Sequence, residues 1–238
     1  MFRKALIALL VFSAVVAAAY FWLLPNITVP AGNIDRGEFA GERIIYDIKP
    51  VGSAEYNDLG IVELWGKQLK LSTFRTRVLN FDDTETIYSS PESLLPLRVE
   101  RDISMWPLKE KIIEEYDPDN FTLMIRKLKG KKQEEQIFKA EGPIYNAVIL
   151  PFYLRSIKEL DPGWSMVVRL PQKFSVKLVA EEDIEVPAGK FRAWRFTSDP
   201  YKFDIWISQD ELRLPLKIKG AAGLGYTLLL KERTLEKK

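Results

Sequence analysis

The chain has 238 residues, 47% of them hydrophobic and 29% charged, which is the balance of one globular domain with an ordinary core and not that of a disordered segment. It contains no Cys and no His, which removes disulfides, thiol and imidazole catalysis, iron–sulfur ligation and the commonest transition-metal ligands. Its 35 Lys and Arg exceed its 33 Asp and Glu only by Arg3 and Lys4, which precede an apolar run; the remainder is neutral, which argues against a nucleic-acid partner that needs a strong basic field.

In chain order, the first element is the uninterrupted apolar stretch from Ala5 to Leu24. As a helix it would span roughly 30 Å, the thickness of a bilayer core. Basic residues before it and Tyr20, Phe21 and Trp22 near its far end predict a single-pass anchor over residues 1–25 of a bacterial inner membrane. The N-terminus would then be cytoplasmic and everything after Pro25 periplasmic, or at least extracytoplasmic. A cleaved signal peptide is the rival, with Val16 to Ala19 as small residues for a peptidase, but the run exceeds the roughly 7–15 residues of a usual signal core. Residues 26–38, with Pro30, Gly32 and Gly37, read as a tether, and residues 39–236 as an exported domain.

Within that domain the dominant period is two. Ile44, Tyr46 and Ile48 alternate with polar neighbours, as do Leu95, Leu97 and Val99, then Phe121, Leu123 and Ile125. Tyr201 to Ile207 and Leu214 to Ile218 repeat the pattern. Short turns at Asp117 to Asn120, Gly130 and Pro187 to Gly189 imply antiparallel neighbours. Ile61 to Phe81 alternates weakly and fits either two strands around Gly66 or one long bent strand. Pro143 to Leu160 is apolar and bounded by Gly142-Pro143 and Asp161-Pro162-Gly163, which predicts one or two helical turns on either side of Pro151, kinked or interrupted there. The expected fold is mainly β (α+β): a large curved antiparallel sheet or half-barrel with one short kinked helix on its concave face.

Several segments resemble a family of exported bacterial proteins known as domain of unknown function 3108. They are Gly41 to Asp47, Glu92 to Arg98, Phe152 to Arg155, Val186 to Phe191, and Ile205 to Asp210 with Leu214 to Leu216 after it, in the family's order over roughly residues 40 to 230. The resemblance implies a curved antiparallel sheet similar to the open half-barrels of periplasmic lipoprotein carriers. It implies no catalytic residues. Members commonly look like secreted proteins with a cleavable signal, and the longer apolar run here departs from that.

Without His or Cys, catalysis would fall to carboxylates, Lys, Tyr or Ser. The acidic run Glu181, Glu182, Asp183 and Glu185 could supply a hydrolase pair or a calcium site, but neighbours on a strand point to opposite faces and the spacing of a calcium loop is missing. Gly220 to Gly225 reads as a tight connection between strands, and the lysines around Gly130 as a solvated hairpin tip. The ligand-binding candidates are Tyr153 and Arg155 at the end of the apolar helix, and Trp206 and Asp210 near the end of a strand. An arginine beside an apolar surface suits the head group of an amphiphile, and its structural alternative is an ion pair. No cofactor, metal or catalytic residue is expected. The leading function is a membrane-anchored binding module of the cell envelope for an apolar or amphiphilic ligand, ahead of a scaffold for a protein partner and of a carboxylate-based hydrolase.

Overall fold

The computed structural model describes residues 39–130, 132–220 and 225–235. The predicted anchor, residues 1–25, and tether, residues 26–38, lie outside the described residues. Among the described residues no helix is long and apolar enough to cross a membrane.

Among the described residues eight strands come first: β1 Glu42–Lys49, β2 Ser53–Leu64, β3 Lys67–Val78, β4 Phe81–Ser89, β5 Pro96–Met105, β6 Leu108–Asp117, β7 Thr122–Lys129 and β8 Lys132–Lys139. One helix, α1, covers Leu150–Arg155, and six strands follow: β9 Ser165–Arg169, β10 Lys173–Val186, β11 Gly189–Asp199, β12 Phe203–Ser208, β13 Pro215–Gly220 and β14 Tyr226–Leu235. All fourteen form one antiparallel sheet in the order β8-β7-β6-β5-β4-β3-β2-β1-β14-β13-β12-β11-β10-β9. Every pair of adjacent strands is consecutive in sequence except β1 and β14, so two meanders, one running outward from the centre and one running back to it from the far edge, make the sheet. It does not close into a barrel, because β8 and β9 are edges.

One face of the sheet is dry. In β1 the buried positions are Glu42, Ile44, Tyr46 and Ile48, the alternation that a half-buried strand requires. A single apolar cluster joins Ile87 and Val99 of β4 and β5 to Val168 and Val176 of β9 and β10 through α1, which requires the sheet to curl around the helix. β12 is buried on both faces from Asp204 to Ser208. Its outer residue Trp206 lies under the cations of Arg195 and Lys217 and donates its indole N–H to Glu182.

Chain chemistry decides one alternative that the sequence left open and explains one departure from its reading. Ile61 to Phe81 is two strands around a turn at Trp65 and Gly66, the first of the two alternatives, and past Gly60 this pair overhangs its neighbours with most side chains in water and Leu69 buried, so alternation has little to report. The helix is six residues long and unkinked, because Pro151 falls in its first turn, where a missing N–H costs nothing. Residues 143–149, expected to be helical, instead form a strap between the two sheet edges. Ile144 packs on Leu123 and Phe138 beside β8, and the Tyr145 N–H donates to the Arg169 carbonyl of β9 at 2.7 Å. Asn146 ends the strap: its side-chain oxygen accepts the N–H groups of Val148 and Ile149 at 2.8 and 3.3 Å.

Candidate functional site

A cavity of about 750 Å³ opens where the overhanging β2–β3 hairpin, the end of α1 and the β12–β13 turn meet. Its walls are mostly apolar, with Leu69, Leu94, Leu97, Ile149, Phe152 and Leu212 among them. Phe152 is held by stacking on Tyr56 of β2, with ring centres 3.7 Å apart. Lys67, at the start of β3, is exposed at the mouth, whereas Lys70 is tied to the buried Asp58 carboxylate at 2.5 Å.

The floor of the cavity is an ion-pair network. Arg155, 4% exposed, donates two hydrogen bonds to Glu42, at 2.5 and 3.0 Å, and a third from Nε to the Leu212 carbonyl at 2.8 Å. Arg233 of β14 donates to the same Glu42 carboxylate at 2.6 Å, and the Phe39 ring covers the Arg155 guanidinium at 3.6 Å. Two cations on one carboxylate, with a fork-to-fork pair and a carbonyl, satisfy charges that burial would otherwise penalise. The network ties α1 to β1, β14 and the β12–β13 turn.

Of the four candidate residues, Arg155 alone is in the cavity wall. Tyr153 is buried on α1 with its ring edge-on to Tyr145 of the strap, 5.3 Å between centres. Asp210 shapes the β12–β13 turn by accepting from the Ser208 hydroxyl and the N–H groups of Leu212 and Arg213 at 2.8–3.1 Å. Trp206, by strand alternation, points to the face opposite Ile205 and Ile207. Sequence reasoning missed Glu42, Lys67 and the apolar wall. For Glu42 a signal was present, since it shares the phase of Ile44, Tyr46 and Ile48 and is therefore a carboxylate on the dry face.

A second polar constellation lies on the inner face of β4, β5 and β6, outside the cavity wall. Arg101 hydrogen-bonds Asp83 and sits 3.4 Å from Glu85, and the Tyr116 hydroxyl donates to Glu114 at 2.5 Å. Burial pushes the Glu85 carboxyl up to about 7 against the opposing pull of Arg101, with Asp83 and Glu114 adding to the rise. Burial first, then the Glu114 charge, holds the Tyr116 phenol well above its ordinary range. Glu181, Asp183 and Glu185 are exposed on the β10–β11 hairpin, beside Arg192 and Lys190, and Glu182 is the partner of Trp206. Among the described residues no cluster of three carboxylates has the geometry to hold a metal ion.

The crystal structure of a β-barrel-like protein of domain of unknown function DUF1849 from Brucella abortus matches with a TM-score of 0.50. It covers 84% of this chain and 99% of that chain at 9% identity, and so bears on the fold alone. No curated protein matches the chain. The family model described as protein of unknown function (DUF3108) matches residues 68–231, which run from the first residues of β3, beside the cavity mouth, through α1 and into β14. With that match over most of the sheet, the chain belongs to the DUF3108 family.

Proposed function

We propose that the protein is a binding module of the cell envelope, anchored by its N-terminal apolar run, that holds one long-chain amphiphile in the cavity beside α1. The observation that carries this reading is the cavity itself. Its volume of about 750 Å³ falls in the range of small-molecule sites, roughly 300–1,000 Å³, and apolar walls with a cation at the mouth suit a chain with an anionic head. Arg155 is committed to Glu42 and Leu212 and forms the floor, which leaves the head group to the exposed lysines of the wall, Lys67 at the mouth first among them. The buried, pinned helix acts as a fixed wall and not as a moving lid. A scaffolding role has one observation in its favour, the open edge of β8, although its Lys132, Glu134, Glu135 and Lys139 are the charges that discourage strand addition.

The test is titration of the full-length chain with a fluorescent long-chain fatty acid. Saturable binding at micromolar concentration is expected. Leu97→Trp, which fills the cavity from β5, should weaken it at least tenfold with an unchanged circular dichroism spectrum. Lys67→Glu should weaken the anionic ligand more than a neutral alcohol of equal length. Absence of saturable binding, or equal binding by the Leu97→Trp variant, sinks the reading.

A further inference from the structure

Antiparallel order places the β1–β2, β3–β4, β5–β6 and β7–β8 turns at one end of the sheet. Three of these successive tips carry an exposed large apolar side chain: Val51, Leu79 at 86% and Trp106 at 82% exposure. The β11–β12 turn at the same end adds the exposed Tyr201. The fourth tip carries Lys129 and Lys132, both exposed. Tips two strands apart are separated by roughly 10 Å.

Charge divides between the two ends in the same way. The turns 49–53, 77–82, 105–109 and 129–132 contain six basic residues and one acid, Asp82, which is bound to Arg75. The turns of β1 to β8 at the other end, 63–67, 89–96 and 117–122, contain four acids and one base. The overall neutrality of the domain thus conceals a basic, apolar-tipped rim opposite an acidic one. The cavity and the first described residue, Phe39, are at the acidic end.

Folding does not account for the leucine at the β3–β4 tip. Leu79 has φ +53° in the tight turn between Val78 and Phe81, a left-handed conformation that favours Gly, Asn or Asp, and its exposure means that no packing compensates. Trp65 at the opposite end, by contrast, is engaged by the Tyr88 ring and the Arg98 cation.

We propose that this rim docks onto an anionic lipid surface, with Val51, Leu79 and Trp106 entering the interface and Lys49, Lys109, Lys129 and Lys132 meeting lipid phosphates. A planar surface touches isolated tips together, whereas a helical or extended peptide needs a contiguous groove, which a row of turns does not offer. Tryptophan and leucine beside lysine is the composition of an interfacial anchor. The site lies at the end of the sheet opposite the cavity.

The test uses the full-length chain, carried in phosphatidylcholine nanodiscs or free in buffer if it does not insert. Vesicles of phosphatidylcholine, with or without 30 mol% phosphatidylglycerol, are added and co-flotation is measured. Capture of the anionic vesicles should exceed that of neutral ones at least tenfold and fall with salt. The variant Val51→Ser/Leu79→Asn/Trp106→Ser should lose at least tenfold, and Lys109→Gln/Lys129→Gln/Lys132→Gln should lose most of the anionic preference. Brominated lipid should quench a part of the tryptophan emission that Trp106→Phe removes. Leu97→Trp should leave vesicle capture unchanged, which separates this site from the cavity. Equal capture of both vesicle types, or capture unaffected by the tip variant, overturns the proposal. Tip-dependent self-association without vesicle capture assigns the rim to a second copy of the chain and overturns it as well.

Discussion

Truncating Arg155 to alanine leaves the Glu42 carboxylate, 1% exposed, with Arg233 as its one remaining cation, and opens a void beneath Phe39. Breaking a buried pair from one side costs about 3–5 kcal/mol, and thermal or urea unfolding of Arg155→Ala should show a loss of that order. Arg155→Lys should recover only part of it, since an ammonium cannot reproduce the fork and the carbonyl bond together. A second residue-scale expectation concerns Glu85, whose carboxyl moves from an ordinary 4.5 to about 7 on folding, chiefly by desolvation. The folded state then binds the extra proton between those values, so this group subtracts stability as pH rises from about 4.5 to 7. Glu85→Gln should flatten that part of the stability–pH curve and leave the variant about 1–3 kcal/mol more stable than the parent at pH 8. An unchanged slope in denaturant titrations at several pH values would show that the carboxyl titrates normally. Arg155 was visible in the sequence as a charge beside an apolar segment, and Glu42 as a carboxylate in the buried phase of a strand. Their pairing was not, because no local pattern connects residues 113 positions apart.

At the scale of elements, the β3–β4 turn is held by a residue that its backbone does not favour. Leu79→Asn should stabilise the turn by about 0.5–1 kcal/mol, read as a higher unfolding midpoint with an unchanged denaturant slope, because Asn tolerates positive φ and no buried contact is lost. Loss of stability instead would mean that the exposed leucine packs on something in the folded chain. Strands announced themselves in the sequence wherever one face is dry and the other wet, as in β1. They did so too in β12, where Phe203, Ile205 and Ile207 alternate although both faces are buried, but not past Gly60, where the β2–β3 hairpin leaves most of its side chains in water. The helix was overestimated because an apolar run with few polar residues fits a strap under a sheet as well as a helix. The signal that marked its true start was Asn146, which takes two backbone N–H groups just ahead of α1.

On the scale of the whole molecule, short turns made an antiparallel meander legible, but not where the meander begins and ends in space. The edges, β8 and β9, come from the middle of the chain, and the two ends of the described chain meet at the sheet's centre through β1 and β14. That pairing has a consequence for synthesis. The ribosome finishes β1 through β8 long before Tyr226–Leu235 exists, so the strand destined for the centre waits as an unpaired edge, with Ile44, Tyr46 and Ile48 lacking part of their cover. Closing so long a loop is also the slowest kind of contact to form. Vulnerability to aggregation is therefore concentrated in the nascent chain, and it ends only when the last strand emerges and is laid against the first.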